Sequence, residues 1–206
     1  RGIKHRGQLR RHHLVAGGSP LSPYRDRFPA LGALAGEPAP VAPPGGRSPY
    51  RTYRVASPGG ASGATAFVRD PRSTFQVWSR DAGYPGDFAY LEFHKKHFPG
   101  GIRYWRVTDS TRDLGTKAVY DPKQAEERVL AQARHFVSLV GATLAEVDDS
   151  PRTAVLCAPY DAELFGHWWF EGPSWLGRVT EGLRDVGVTP MTLSEGGIDA
   201  RVDLTP

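Results

Sequence analysis

At 206 residues with 39% hydrophobic content, the chain has material for one large domain or two small ones, and it holds no run of roughly 18 apolar residues to span a bilayer as a helix. Its one cysteine, Cys157, excludes an internal disulfide and a thiolate-built zinc site, and its apolar neighbours predict a small buried residue. The net charge of +4 sits largely in an N-terminal arm, where Arg1, Lys4, Arg6, Arg10, Arg11 and Arg25 precede the first acid, Asp26, and the remainder is nearly neutral.

No aromatic residue interleaves the first twenty positions of that arm to stack bases, so it predicts a solvated tail and no nucleic-acid partner. The basic start lacks the apolar stretch of a secretion signal, and the chain is expected to be cytoplasmic with no membrane partner. Residues 17 to 49 are dominated by Gly, Pro, Ala and Ser, as in Gly36 to Gly46, and can sustain neither a helix nor a ladder. Residues 1–46 are therefore expected to be a poorly ordered segment, with the folded unit running from 47 to 206.

Tyr53 and Val55, then Thr65 to Val68, make two short β-type runs around Ser57-Pro58-Gly59-Gly60, which predicts a hairpin or two adjacent strands. Residues 70 to 90 mix polar and aromatic side chains, including Trp78, Tyr84 and Tyr90, and read as a loop with a turn at Tyr84-Pro85-Gly86-Asp87. Flanked by Arg69, Arg72 and Arg80, these rings suit a sugar surface; ordinary core packing accounts for them equally well. Asp121 followed by Pro122 marks a helix N-terminus, and Ala125, Val129, Ala133, Phe136, Val137 and Val140 give it one apolar face ending near Gly141. After a turn at Asp148-Asp149-Ser150-Pro151, Thr153 to Ala158 reads as a strand buried on both faces. A second helix is predicted from Trp175 to Val186 and a further β-type piece near Val188 to Leu193, so the fold class is α/β.

Directly after the predicted buried strand comes Pro159-Tyr160-Asp161-Ala162-Glu163-Leu164-Phe165-Gly166-His167-Trp168-Trp169-Phe170-Glu171-Gly172-Pro173, the densest cluster of aromatic and ionisable groups in the chain. Ligands bind beyond the C-terminal ends of strands in α/β folds, which makes Asp161 a candidate general acid. In a helix, Asp161, Phe165 and Trp168 would share a face and desolvate the carboxyl. The competing account is that Asp161 only caps a helix while the aromatics fill a core. His167 is open to i,i+4 pairing with Glu163 or Glu171, and no second histidine stands at metal-ligand spacing, so neither metal nor cofactor is expected.

The Pro159–Pro173 string resembles the fourth signature region of glycoside hydrolase family 57, in the form carried by its 1,4-α-glucan branching enzymes. Phe67-Val68-Arg69-Asp70-Pro71, Gln76-Val77-Trp78-Ser79, Gly83-Tyr84-Pro85-Gly86-Asp87 and Lys117 to Pro122 extend the resemblance over about residues 47 to 206. It implies part of a distorted (β/α)7 barrel, incomplete here, acting on α-glucan by cleaving α-1,4 and forming α-1,6 links. It implies that Asp161 is the acid/base, with Arg69, Trp78, Tyr84, His167, Trp168 and Trp169 binding substrate. The family's glutamate nucleophile is expected before residue 47, where the only glutamate, Glu37, lies in a Pro/Gly-rich context unlike the family's motif. The resemblance thus implies the middle of a longer enzyme, with 4-α-glucanotransferase or α-amylase activity, or glucan binding without turnover, as alternatives.

Overall fold

The computed structural model describes residues 48–55, 64–79, 82–109, 113–147, 154–196 and 202–204. The N-terminal segment with Glu37, the turns expected at 57–60 and 148–151, and Arg80 lie outside the described residues. Strand β1 (Thr52–Val55) pairs antiparallel with β2 (Ala64–Phe67), with Thr52 opposite Phe67 and Val55 opposite Ala64. This is the predicted pair of adjacent strands. On its other edge β1 runs parallel to β3 (Val202–Leu204), giving the order β2-β1-β3.

Helix α1 (Pro71–Trp78) occupies ground that the sequence reading treats as loop. Asp70 caps it, accepting from the Ser73 backbone N–H at 2.6 Å, and Pro71 supplies the pre-set φ of a first turn. Its buried face is polar, with Arg72, Ser73 and Gln76 inside alongside Val77, so no apolar period announces it. Hydrogen bonds offset part of the cost of that burial: Arg72 donates to Thr143 Oγ1 at 3.2 Å and Glu146 Oε2 at 2.6 Å, and Gln76 donates to the Ala82 carbonyl at 3.1 Å, while Arg72 Nε and Gln76 Oε1 are left without a partner among the described residues.

Helix α2 (Pro122–Ala145) starts at the predicted Asp121 cap, whose carboxylate accepts from the Lys123 N–H at 3.0 Å. It runs past the predicted stop at Gly141, since the last turn packs Thr143 and Leu144 inward and a mid-helix glycine costs only about 1 kcal/mol. Helix α3 (Gly172–Asp185) begins ahead of the predicted Trp175, with Pro173 in its first turn, and lies along α2. The β-type piece expected at 188–193 is not formed. Thr192 and Glu195 cap each other instead, with the Thr192 N–H donating to Glu195 Oε2 at 2.7 Å, and open the single turn α4 (Leu193–Gly196).

Trp169, Trp175, Tyr84, Tyr90, Val129 and Phe136 form the centre of the core between α2, α3 and the 84–90 loop. Asp87 ties that loop to α2, accepting from Arg128 Nε at 2.9 Å and Gln132 Nε2 at 2.8 Å, while the Tyr90 hydroxyl donates to Gln132 Oε1. The segment expected to be a doubly buried strand is extended but half-buried over 154–158. Its ties are a parallel bridge between Arg69 and Cys157, the Asp70 N–H on the Cys157 carbonyl at 2.8 Å, and the Val155 N–H on the Tyr50 carbonyl at 2.8 Å. Cys157 is accordingly half-buried, and that burial raises its thiol pKa. Among the described residues no helix is long and apolar enough to cross a membrane.

Candidate active site

The 154–158 segment leads to a half-buried Tyr160 and an exposed Asp161 beside α1. The Tyr160 hydroxyl donates to the Ser73 carbonyl at 3.2 Å, and burial raises its pKa above the ordinary tyrosine value. Beyond Asp161 the chain makes one 3-10 turn, Ala162–Leu164, and then doubles back on itself. Gly166 adopts a φ of +88°, which an L side chain rarely takes and an α-helix does not allow. The Trp169 N–H donates to the Leu164 carbonyl and the Gly166 N–H to the Trp169 carbonyl, both at 2.8 Å. This corrects the helical expectation: Asp161, Phe165 and Trp168 do not share a helical face, and Asp161 is exposed. The capping account fails as well, because the Asp161 carboxylate makes no capping hydrogen bond. Its carboxylate has no hydrogen bond or ion pair to any described residue.

Asp161 lies on an open cleft of about 640 Å³ shared with Trp78, Phe93, Glu163 and Trp168, a size ordinary for a small-ligand site. Trp168 is 49% exposed and stacks on Phe93 with ring centroids 4.3 Å apart at 31°; Trp78, 41% exposed, ends α1 at the same cleft. The Arg103 guanidinium lies 5.6 Å from the Phe93 centroid, and Lys95 sits 4.3 Å from the Trp105 ring. The wall also carries charge, from Glu92 and Lys117, and the imidazole of His94. Burial alone would raise the Glu92 pKa, but hydrogen bonds from His94 and Lys117, with the Lys117 charge, outweigh it and hold the carboxyl below its ordinary value.

Of the site residues predicted from sequence, Trp78, Asp161 and Trp168 come together in this cleft. His167 packs edge-on against Phe93 at 5.3 Å and Trp168 at 5.2 Å, and it pairs with neither Glu163 nor Glu171 because no helix sets an i,i+4 spacing. Glu171 instead accepts from the Leu91 N–H at 3.0 Å. Arg69 is exposed beside Cys157 and does not line the cleft. Two assignments are corrected: Tyr84, 0% exposed, bonds His135 Nδ1 at 2.6 Å, and Trp169, 1% exposed, packs on Tyr90 and Trp175, so neither presents a face to a ligand. Sequence reasoning missed Glu92, Phe93 and His94. The run Glu92-Phe93-His94-Lys95-Lys96-His97-Phe98, a second dense cluster of rings and charges, was the available signal. Among the described residues no group of three His, Cys, Asp or Glu side chains is placed to hold a metal ion.

No protein-family model matches the chain. A 1,4-α-glucan branching enzyme of Thermococcus kodakarensis is 52% identical over 134 residues, which are 65% of this chain and 20% of that protein. A probable 1,4-α-glucan branching enzyme of Mycobacterium tuberculosis is 39% identical over 158 residues, 76% of this chain and 30% of its own length. Among solved structures, a family 57 branching enzyme from Thermococcus kodakaraensis aligns with a TM-score of 0.69 at 45% identity, covering 77% of this chain and 29% of that one. An α-amylase from Thermotoga maritima aligns with a TM-score of 0.63 at 34% identity, covering 76% and 33%. The chain thus spans about a fifth to a third of the length of the proteins it matches. In sequence and in fold, the chain is similar to a part of the glycoside hydrolase family 57 enzymes of the branching type.

Proposed function

We propose that the chain carries the acid/base side of a retaining, α-glucan-processing active site. Asp161 protonates the leaving glycosidic oxygen as an α-1,4 link breaks, then takes the proton from the 6-hydroxyl of the acceptor as an α-1,6 link forms. One observation carries this reading: an exposed carboxylate without a capping bond, set among open indole faces in a cleft, in a chain 52% identical over 134 residues to a branching enzyme. Flat apolar rings suit the C–H faces of pyranoses, and crowding water from the cleft favours transfer over hydrolysis. No cofactor enters such a scheme.

Retention needs a second carboxyl roughly 5–5.5 Å from the first. Glu92 is engaged by Lys117 and His94, and the resemblance to family 57 assigns the nucleophile to a residue outside the described ones. It takes residues 47–206 as part of a distorted (β/α)7 barrel, with the 154–158 segment as the strand whose C-terminal end presents Asp161. It places the enzyme in the cytoplasm. The likeness to an α-amylase supports a second reading, in which water replaces the acceptor hydroxyl.

Amylose incubated with the whole chain tests this, with new branches counted by debranching and hydrolysis by reducing ends. Turnover should fall by roughly 10²–10⁴-fold in Asp161→Asn, the usual worth of a general acid/base. Turnover that survives the substitution would remove Asp161 from the mechanism. A chain that binds maltoheptaose but turns over nothing, substituted or not, would mark a glucan-binding unit without catalysis.

A further inference from the structure

The cleft wall beside Asp161 contains an arrangement that the acid/base chemistry leaves unused. The segment from Leu91 is extended, with the Glu92 N–H donating to the Trp105 carbonyl at 2.8 Å, and its side chains pass from buried Glu92 through half-buried Phe93 to exposed His94. Glu92 Oε1 accepts from the His94 backbone N–H at 2.9 Å and lies 3.1 Å from His94 Nδ1. Glu92 Oε2 lies 3.2 Å from Lys117 Nζ, both side chains being nearly fully buried. Lys117 spends its other two protons on the Val107 carbonyl at 2.7 Å and the Asp109 carbonyl at 2.9 Å. A buried ion pair is costly to desolvate and holds only when its lone pairs and protons are matched, as they are here.

An anionic carboxylate on Nδ1 selects the Nδ1–H tautomer of a neutral imidazole, which leaves Nε2 a lone-pair acceptor. His94 Nε2 has no bond to any described residue, the side chain is 71% exposed, and the ring lines the cleft. Next to it, Phe93 stacks on Trp168, and the His94 ring meets Phe93 edge-on at 5.2 Å. An apolar slab flanked by a fixed hydroxyl acceptor complements a pyranose ring, which offers a C–H face and equatorial hydroxyls.

We propose that His94 Nε2 binds a sugar hydroxyl of the glucan in this cleft, and that Glu92, held by Lys117, is a positioning residue that fixes the ring's orientation and tautomer. The assignment rests on the glucan reading of the cleft and adds a polar ligand to it. Calorimetric titration of the whole chain with maltoheptaose, alongside nitrogen NMR of the imidazoles, tests it. His94→Ala should weaken binding about tenfold, the scale of one hydrogen bond left unmade, while the melting temperature of this exposed site stays unchanged. In the wild type, His94 should show the Nδ1–H tautomer, and its Nε2 resonance should shift on saturation with maltoheptaose. Glu92→Gln should mix the tautomers and weaken binding; if that variant fails to fold, the wild-type resonance and His94→Ala still decide. Binding that is lost in Trp168→Ala but unchanged in His94→Ala, with an unmoved Nε2 resonance, would overturn the assignment and leave the glucan reading standing. A wild type that binds no maltoheptaose would overturn both.

Discussion

Trp168 and Trp169 are neighbours in sequence and opposites in the structure: one stacks on Phe93 at the cleft, the other is sealed in the core against Tyr90 and Trp175. Nothing in a pair of identical residues separates the two roles. The doubling back at Gly166 does, by sending consecutive side chains to opposite sides. Five residues after Gly166, Glu171 is buried and accepts from the Leu91 N–H, and that burial raises its pKa, with the Asp87 charge adding to the effect. The Tyr120 hydroxyl, its own pKa raised by burial and by Glu171, faces the same carboxyl. A carboxyl pKa raised on folding contributes stability below its unfolded value and loses it as pH rises through the folded value. Glu171→Gln keeps the Oε1 acceptor and removes the charge. At pH 7 it should melt at the same temperature or a few degrees higher, and a drop above about 5 °C would show that the ionised carboxylate is needed.

Helices α2 and α3 show how an element can depend on an absent side chain. A Cβ on Gly182 would stand 3.0 Å from Val137 Cγ2, whereas one on Gly177 meets nothing within 4 Å. Alanine improves helix propensity by about 1 kcal/mol at either position, and overpacking costs about 1–3 kcal/mol. Gly177→Ala should therefore raise stability by about 1 kcal/mol in denaturant titration, and Gly182→Ala should lower it; equal gains at both sites would mean the helices yield easily. Both glycines lie inside the helix predicted from Trp175 to Val186, and the sequence does not tell them apart. The two strands and α2 were legible because apolar alternation and period coincide with their caps. Helix α1 was not, although Asp70-Pro71 repeats the cap signal of Asp121-Pro122, because its buried face is polar and its partners, Thr143 and Glu146, lie far along the chain. Thr192 and Glu195 likewise spelled a capping box in a stretch read as β.

At the scale of the whole molecule, the core among the described residues holds a histidine that cannot readily be charged. Burial lowers the His135 pKa to about 4; the Tyr84 hydroxyl bonds its Nδ1, and the Tyr84 ring meets it edge-on. The unfolded chain takes up this proton near pH 6.5, so stability is complete above that value and falls as pH drops toward 4, by roughly 3 kcal/mol in all. Denaturant midpoints at pH 7, 5.5 and 4 should trace this loss, and His135→Gln should flatten it; an unchanged slope in the variant would place the acid sensitivity elsewhere. Glu171 acts in the opposite sense over an overlapping range, and its glutamine variant separates the two contributions.

The contrast between Trp168 and Trp169 also makes the chain its own optical probe. Of its five tryptophans, Trp169 and Trp175 are within 1% of full burial, while Trp78 and Trp168 are more than two-fifths open to solvent. Emission should therefore contain a blue component shielded from acrylamide and a red component that acrylamide reaches. Occupation of the cleft should protect only the red component, and unfolding should merge the two, so one cuvette distinguishes a ligand in the cleft from a change in the core.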